Sequence, residues 1–272
     1  MQLSVMLWTL QGSFDQRLEA AAQAGIGSLQ LVGEWSQWGD AEFDRVNALR
    51  RSLGLGVDAL VAQQNWRQRP VSLVDPSHRE GFLADLATGL AAAQKLECAR
   101  IILMAGDEVA GVPRVQQHAC LVEGLRRGGE LAAREKITLI LEPLNSRVDH
   151  PGYFLTTAAE GLQAVEEADN PSVKLLFDIY HEQVQSGNVI DTLSKNLPQI
   201  AVFHVAGCPG RHEPGAGELN YPNIYRAIAQ GGFQGHIAME YLPRGEQVAS
   251  LTQAVGDFRK ATSAGFASNC TG

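Results

Sequence analysis

The sequence predicts a single-domain α/β protein of the (β/α)8 barrel class, and three observations carry that expectation. Short apolar runs alternate with longer amphipathic runs along the chain, the pattern of a parallel sheet with helical crossovers. The alternation repeats eight times at a spacing of about 34 residues, a number of units that closes naturally into a barrel. No G-x-G-x-x-G follows the first apolar run, which removes the main reason to prefer a doubly wound sheet.

The first strand is expected at 3–10 (LSVMLWTL), followed by a helix in SFDQRLEAAAQAG with Ser13 as N-cap and Gly25 as stop. A second strand at 28–33 precedes a helix at 40–54, opened by Asp40 and closed by Gly54. The third strand, 55–62, runs into a polar loop with Trp66 and Pro70 and then a helix at about 77–96. Strand 99–105 pairs with a helix near 113–135, and strand 137–144 with a helix at 156–168. The last three units are 173–179 with a helix near 182–196, 200–206 with one near 221–230, and 236–242 with one near 247–263. Residues 1–265 are therefore assigned to one barrel and 266–272 to a C-terminal tail.

With 272 residues, 45% hydrophobic and 19% charged, the chain has an ordinary globular composition. A net charge of −8 speaks against nucleic acid and anionic membranes as partners. The four cysteines, Cys98, Cys120, Cys208 and Cys270, form no C-x-x-C pair and suggest neither a disulfide framework nor a zinc ribbon. The N-terminal MQLSVMLWTLQGSF has no basic region and too short an apolar run to span a bilayer, so the expectation is no targeting segment and a cytoplasmic location.

The chemistry is expected where barrels of this class carry it, at the C-terminal ends of the strands. The apolar run ITLILE ends in Glu142, KLLFD in Asp178, VFH in His204 and AME in Glu240, at separations of 36, 26 and 36 residues. Any one of these acids alone could equally cap the helix that follows, and a lone histidine in an apolar strand is commonly a hydrogen-bonded core residue. Four on four consecutive strands is a different pattern. Three carboxylates converging without a cation would repel one another, and a divalent cation removes that problem. An oxygen-rich set with one imidazole suits Mn²⁺, Mg²⁺ or Co²⁺ better than a closed zinc site.

Polar groups in the following loops lie toward the same rim. His181 comes three residues after Asp178, and Arg211 sits in the Gly/Pro-rich CPGRHEPGAGELNYP, where a guanidinium suits a substrate carboxylate or hydroxyl pair. For His212 in that loop an ordinary turn role is expected. Asn145 and His150 are candidates for the pocket lining, with Trp8 and Glu34 near the ends of the first two strands. Trp8, Trp35 and Trp66 could wall a small substrate or equally pack in the core.

LEPLNSRVDHPGYF, FDIYHEQ and GRHEPGAGELNYP, with Glu240 in MEY, together resemble the hydroxypyruvate isomerase-like branch of the xylose-isomerase-like barrels. The resemblance spans nearly the whole chain and is densest from 140 to 243. It implies a metal-dependent isomerase of a small sugar or hydroxy acid, with the metal held by Glu142, Asp178, His204 and Glu240. It also implies Glu142 and Glu240 as the acid/base pair, and His181 and Arg211 as contacts to substrate oxygens. A homo-oligomer is implied by analogy. Hydroxypyruvate isomerases often carry Gln where this chain has His204, and a His there is typical of the related ketose 3-epimerases. A barrel that only binds a sugar acid is a further alternative, against which the intact Glu142 and Glu240 count.

Overall fold

The computed structural model describes residues 1–62 and 67–263; Trp66 and the tail at 266–272 lie outside the described residues. Eight parallel strands close into a barrel in sequence order: β1 (Gln2–Met6), β2 (Ser28–Leu31), β3 (Gly56–Val61), β4 (Arg100–Met104), β5 (Thr138–Glu142), β6 (Val173–Asp178), β7 (Ile200–Val205) and β8 (His236–Met239). The helices packed outside are α1 (Phe14–Gln23), α2 (Asp40–Ser52), α3 (Arg79–Lys95), α4 (Arg114–Arg134), α5 (Ala158–Ala168), α6 (Ile179–Gln185), α7 (Val189–Asn196), α8 (Tyr221–Gln230) and α9 (Gln247–Ser263). No helix among the described residues is long and apolar enough to cross a membrane.

The strands are buried on both faces, so they read as continuous apolar runs. Their outer faces pack with the helices into one large cluster, whereas Met6, Ala59, Val61, Ile102, Ile140, Leu176 and Val202 form a separate small core inside the barrel. Strand side chains alternate with period two. The residue two positions beyond an inner-core residue therefore faces inward again, one layer nearer the rim. That rule takes Ile140 to Glu142, Leu176 to Asp178 and Val202 to His204.

Local chemistry sets several boundaries. Ser13 caps α1 in a capping box with Gln16, as its position before the amphipathic run predicts. Three elements differ from expectation. The first strand stops at Met6 and turns into a single 3-10 turn, Leu7–Thr9, which lifts Trp8 out of the sheet. The long helix expected at 182–196 is two, α6 and α7, because Gly187 and Asn188 both adopt positive φ and break the hydrogen-bond ladder. The eighth strand ends at Met239, so Glu240 stands one residue beyond it, anchored by its N–H donating to the Val205 carbonyl at 3.1 Å.

Candidate active site at the barrel rim

Glu142, Asp178, His204 and Glu240 are all buried, and one ligand atom from each lies within 4.8 Å of the others. Asp178 and His204 are register partners across β6 and β7. His204 Nδ1 lies 2.7 Å from Glu240 Oε2, 3.4 Å from Glu142 Oε1 and 4.0 Å from Asp178 Oδ2. Asp178 fills two roles at once. Its Oδ1 accepts from the Tyr180 and His181 backbone N–H groups and caps α6, while Oδ2 faces the cluster. The capping and clustering readings of this residue are therefore compatible.

Arg211 places its guanidinium among the carboxylates, with Nη2 2.7 Å from Glu240 Oε2 and 3.4 Å from Asp178 Oδ2. It lies over two aromatic rings, 5.8 Å from the centroid of Trp8 and 5.3 Å from that of Tyr180. Its backbone is left-handed at φ 55°, a conformation a non-glycine residue adopts at a cost of about 1 kcal/mol. Two bonds hold it there: Gly207 N–H donates to the His212 carbonyl at 2.7 Å, and Leu242 N–H to the Arg211 carbonyl at 2.8 Å. His212 itself is a loop residue, its Nδ1 2.9 Å from the Leu242 carbonyl.

The electrostatics follow from burial and these contacts. Burial lowers the proton affinity of His204, but Glu240 and Glu142 outweigh it and push the imidazole up to about 10. Burial raises Glu240, yet Arg211 and then His204 hold it well below the usual carboxylate range. Asp178 goes the other way, raised by burial that Arg211 only partly offsets. The opposite directions are consistent with Arg211 and His204 both lying closer to Glu240. Glu240 is also the more tightly bonded acid of the glutamate pair, since Trp8 Nε1 donates to its other oxygen at 3.0 Å. Glu142 is held more loosely, with His204 Nδ1 at 3.4 Å.

His181 is buried beside this cluster. Its Nδ1 accepts from the Asn145 backbone N–H at 3.2 Å and lies 2.6 Å from Asn145 Nδ2, so Nε2 carries the hydrogen of the neutral ring. Burial, and then Arg211, push His181 down to about 3, which keeps it neutral. Its Nε2 is a buried donor without a hydrogen-bond acceptor, 3.6 Å from Asp178 Oδ2, and Arg211 Nε is likewise unpartnered. Unsatisfied buried donors are costly, and ligand oxygens would satisfy them.

The other sequence candidates fall in two groups. Asn145 is an organiser: its amide reaches Asp149 Oδ2 at 2.6 Å and its Oδ1 accepts from the Val148 and Asp149 N–H groups. Burial raises Asp149, but hydrogen bonds from Asn145 and Tyr180 prevail and hold it below its ordinary value. His150 lies against the His181 ring at 5.5 Å. Trp8 joins the site through Glu240. Glu34 does not join it. Its carboxylate is taken by Arg17 at 3.1 Å and by the Val32 and Gly33 N–H groups at 3.0 Å. Trp35 is core. Sequence reasoning missed Tyr180 and Asp149, and also Gln30, whose Oε1 lies 2.8 Å from His204 Nε2, and its partners Asp58 and Arg100. The Asp in the apolar run VDALV was the available signal, because a carboxylate mid-strand demands a partner.

The site fits a divalent cation. Three carboxylate oxygens and one imidazole converge on a space spanned by less than 5 Å, and oxygen ligands on opposite sides of a small cation stand about 4 Å apart. The guanidinium lying among these carboxylates shows that positive charge is favoured there.

The chain is similar to known proteins over most of its length. Residues 18–259 match the family described as xylose isomerase-like TIM barrel. Hydroxypyruvate isomerase of Escherichia coli K12 is 29% identical over 255 residues, 92% of this chain and 97% of the relative. The 2-oxo-tetronate isomerase of Cupriavidus necator is 35% identical over 176 residues, 65% of this chain and 67% of the relative. A solved structure described as an AP endonuclease, family 2, from Brucella melitensis superposes with a TM-score of 0.86 at 25% identity, covering 94% of this chain and 99% of that one.

Proposed function

The chain belongs to the xylose isomerase-like TIM barrel family, and from that premise we propose that it is a divalent-metal-dependent isomerase of a small α-hydroxy carbonyl acid, with hydroxypyruvate to tartronate semialdehyde as the specific reaction. The observation that carries the reading is the convergence of Glu142, Asp178, His204 and Glu240 beside unpartnered donors on His181 and Arg211.

Glu142, Asp178, His204 and Glu240 would hold Mn²⁺, Mg²⁺ or Co²⁺. A divalent ion there supplies a Lewis acid that lowers the acidity barrier of the carbon next to a carbonyl. The protein's own groups do the rest. Arg211 offers two-pronged recognition of the substrate carboxylate, with the Trp8 and Tyr180 rings beside it limiting its movement. Neutral His181 donates its Nε2 hydrogen to a substrate oxygen, with Asn145 locking the tautomer. His150 and Trp8 wall the pocket.

Glu142 is the favoured base because its carboxylate is the less heavily hydrogen-bonded of the pair. It takes a proton from the hydroxymethyl carbon of hydroxypyruvate, the electron pair shifts into an enediolate, and a proton returns at the former carbonyl carbon. Transfer of the remaining hydroxyl proton between the two oxygens leaves the aldehyde. Glu142 returns the proton it took, since Glu240, kept ionised by donors on Trp8, Arg211 and His204, has none to give and would serve as the fixed carboxylate opposite it.

A ketose 3-epimerase is the second reading, favoured by the imidazole at position 204; return of the proton to the opposite face of the same carbon would then use the same two acids. DNA cleavage is disfavoured by the net charge of −8. The deciding experiment offers hydroxypyruvate and a ketose panel to the metal-stripped protein with Mg²⁺ restored, in D₂O, read by proton NMR. Deuterium at the carbon next to the carbonyl, with metal and abolished in Glu142→Gln and Glu240→Gln, is expected. No exchange with any substrate despite metal binding would overturn the isomerase reading.

A further inference from the structure

A hydrogen-bond chain leaves the site in the direction away from the rim, down the inside of the barrel. His204 Nε2 lies 2.8 Å from Gln30 Oε1, and Gln30 Nε2 donates to Asp58 Oδ2 at 2.7 Å. Asp58 Oδ1 is in turn paired with the Arg100 guanidinium and lies 3.3 Å from His236 Nδ1. His204, Gln30 and Asp58 are all buried. Asp58 reaches this position through a β-bulge. Leu29 pairs with Val57 and Gln30 with Ala59, which leaves Asp58 as the extra residue on β3.

The direction of every bond is set from the far end. Asp58, ion-paired with Arg100, only accepts. The amide NH₂ of Gln30 must therefore face Asp58, and its carbonyl oxygen must face His204. That oxygen also only accepts, so Nε2 of His204 carries a hydrogen. Nδ1 is then the nitrogen that can offer a lone pair on the side of Glu142, Asp178 and Glu240. A flipped amide would set its oxygen against the Asp58 carboxylate and lose that bond.

On the metal reading of the site given above, we infer that Gln30, oriented by Asp58, is a positioning residue that presets His204 to bind the metal through Nδ1. Gln30 holds the ring plane and strengthens the imidazole as a donor through the bond to its other nitrogen. Asp58 acts through Gln30, since the amide stands between it and His204. The arrangement explains why a glutamine and an aspartate occupy the barrel interior next to an otherwise apolar inner core.

The test is the Mn²⁺ affinity of the metal-stripped full chain by titration calorimetry, with melting temperatures in EDTA alongside. Gln30→Met is expected to weaken Mn²⁺ about 10–100-fold. Asp58→Asn is expected to weaken it in the same direction, and the double variant no further than Gln30→Met alone, the non-additivity of residues in one chain of contacts. Gln30→Glu, sharing a proton with Asp58, keeps an acceptor toward Nε2 and should stay within about twofold of wild type, inside the usual additivity error. Effects on Mn²⁺ that simply multiply, or a wild-type affinity in Gln30→Met, would overturn the inference. If Gln30→Met does not fold, weakening in Asp58→Asn with retention in Gln30→Glu supports it, and any other pairing overturns it. Failure of wild type itself to bind Mn²⁺ would overturn the metal reading and this one together.

Discussion

Removing the guanidinium among the acids offers a sharp test of the electrostatics. In Arg211→Met, Glu240 loses a partner at 2.7 Å and Asp178 one at 3.4 Å, while the arginine side chain is only 14% exposed. Breaking a buried pair by deleting one member costs about 3–5 kcal/mol, because the remaining charge stays buried. An unfolding entropy of about 2.1 cal/mol/K per residue over 272 residues converts this to a fall in Tm of about 5–9 °C in EDTA. Mn²⁺ at a hundred times its Kd would add about 2.7 kcal/mol, or about 5 °C, to wild type. The variant should gain more, since its carboxylates no longer have the guanidinium competing for them, so the gap between the two proteins should narrow with metal. Scanning calorimetry on both proteins, with EDTA and with Mn²⁺, reads all four values. An unchanged Tm in EDTA, or a gap that metal leaves the same or widens, would refute the assigned role of Arg211 as the resident counter-charge. The same variant should raise KM for a carboxylate substrate more than it lowers kcat.

Two other expectations concern residues outside the cluster. Glu34→Gln breaks the half-buried pair with Arg17 and weakens the bonds from Val32 and Gly33, and should destabilise by about 1–2 kcal/mol while leaving KM within twofold; a selective rise in KM, measured on the reaction that the exchange experiment identifies, would return Glu34 to the substrate. Burial pushes the Cys98 thiol up to about 12, so the native protein at pH 8 should leave Cys98 unalkylated by iodoacetamide and expose it only in denaturant; mass spectrometry showing native labelling would contradict its placement.

The sequence alone determined the barrel and the positions of four rim residues, because both depend on local rules. A doubly buried strand must be apolar, and a charge at its end stands out against that background. Period-two alternation then puts Glu142, Asp178 and His204 on the inner face without any knowledge of neighbours. Helix boundaries were legible where a side chain caps its own turn, as Ser13 does for α1, and were missed where a left-handed residue such as Asn188 splits a run whose amphipathic pattern continues.

What only the tertiary structure decided is pairing. Glu34 and Glu240 both look like acids just past a strand, yet one is taken by Arg17 and the other meets His204, Trp8 and Arg211. Partners 174 residues apart, as His204 and Gln30 are, share no local pattern, and their contact exists only because barrel closure brings β2 and β7 to face each other across the interior. Proton affinities, tautomers and the left-handed seat of Arg211 follow from those pairings, so the chemistry of the site is a property of the closed barrel, while the identity of its rim residues is already written along the strands.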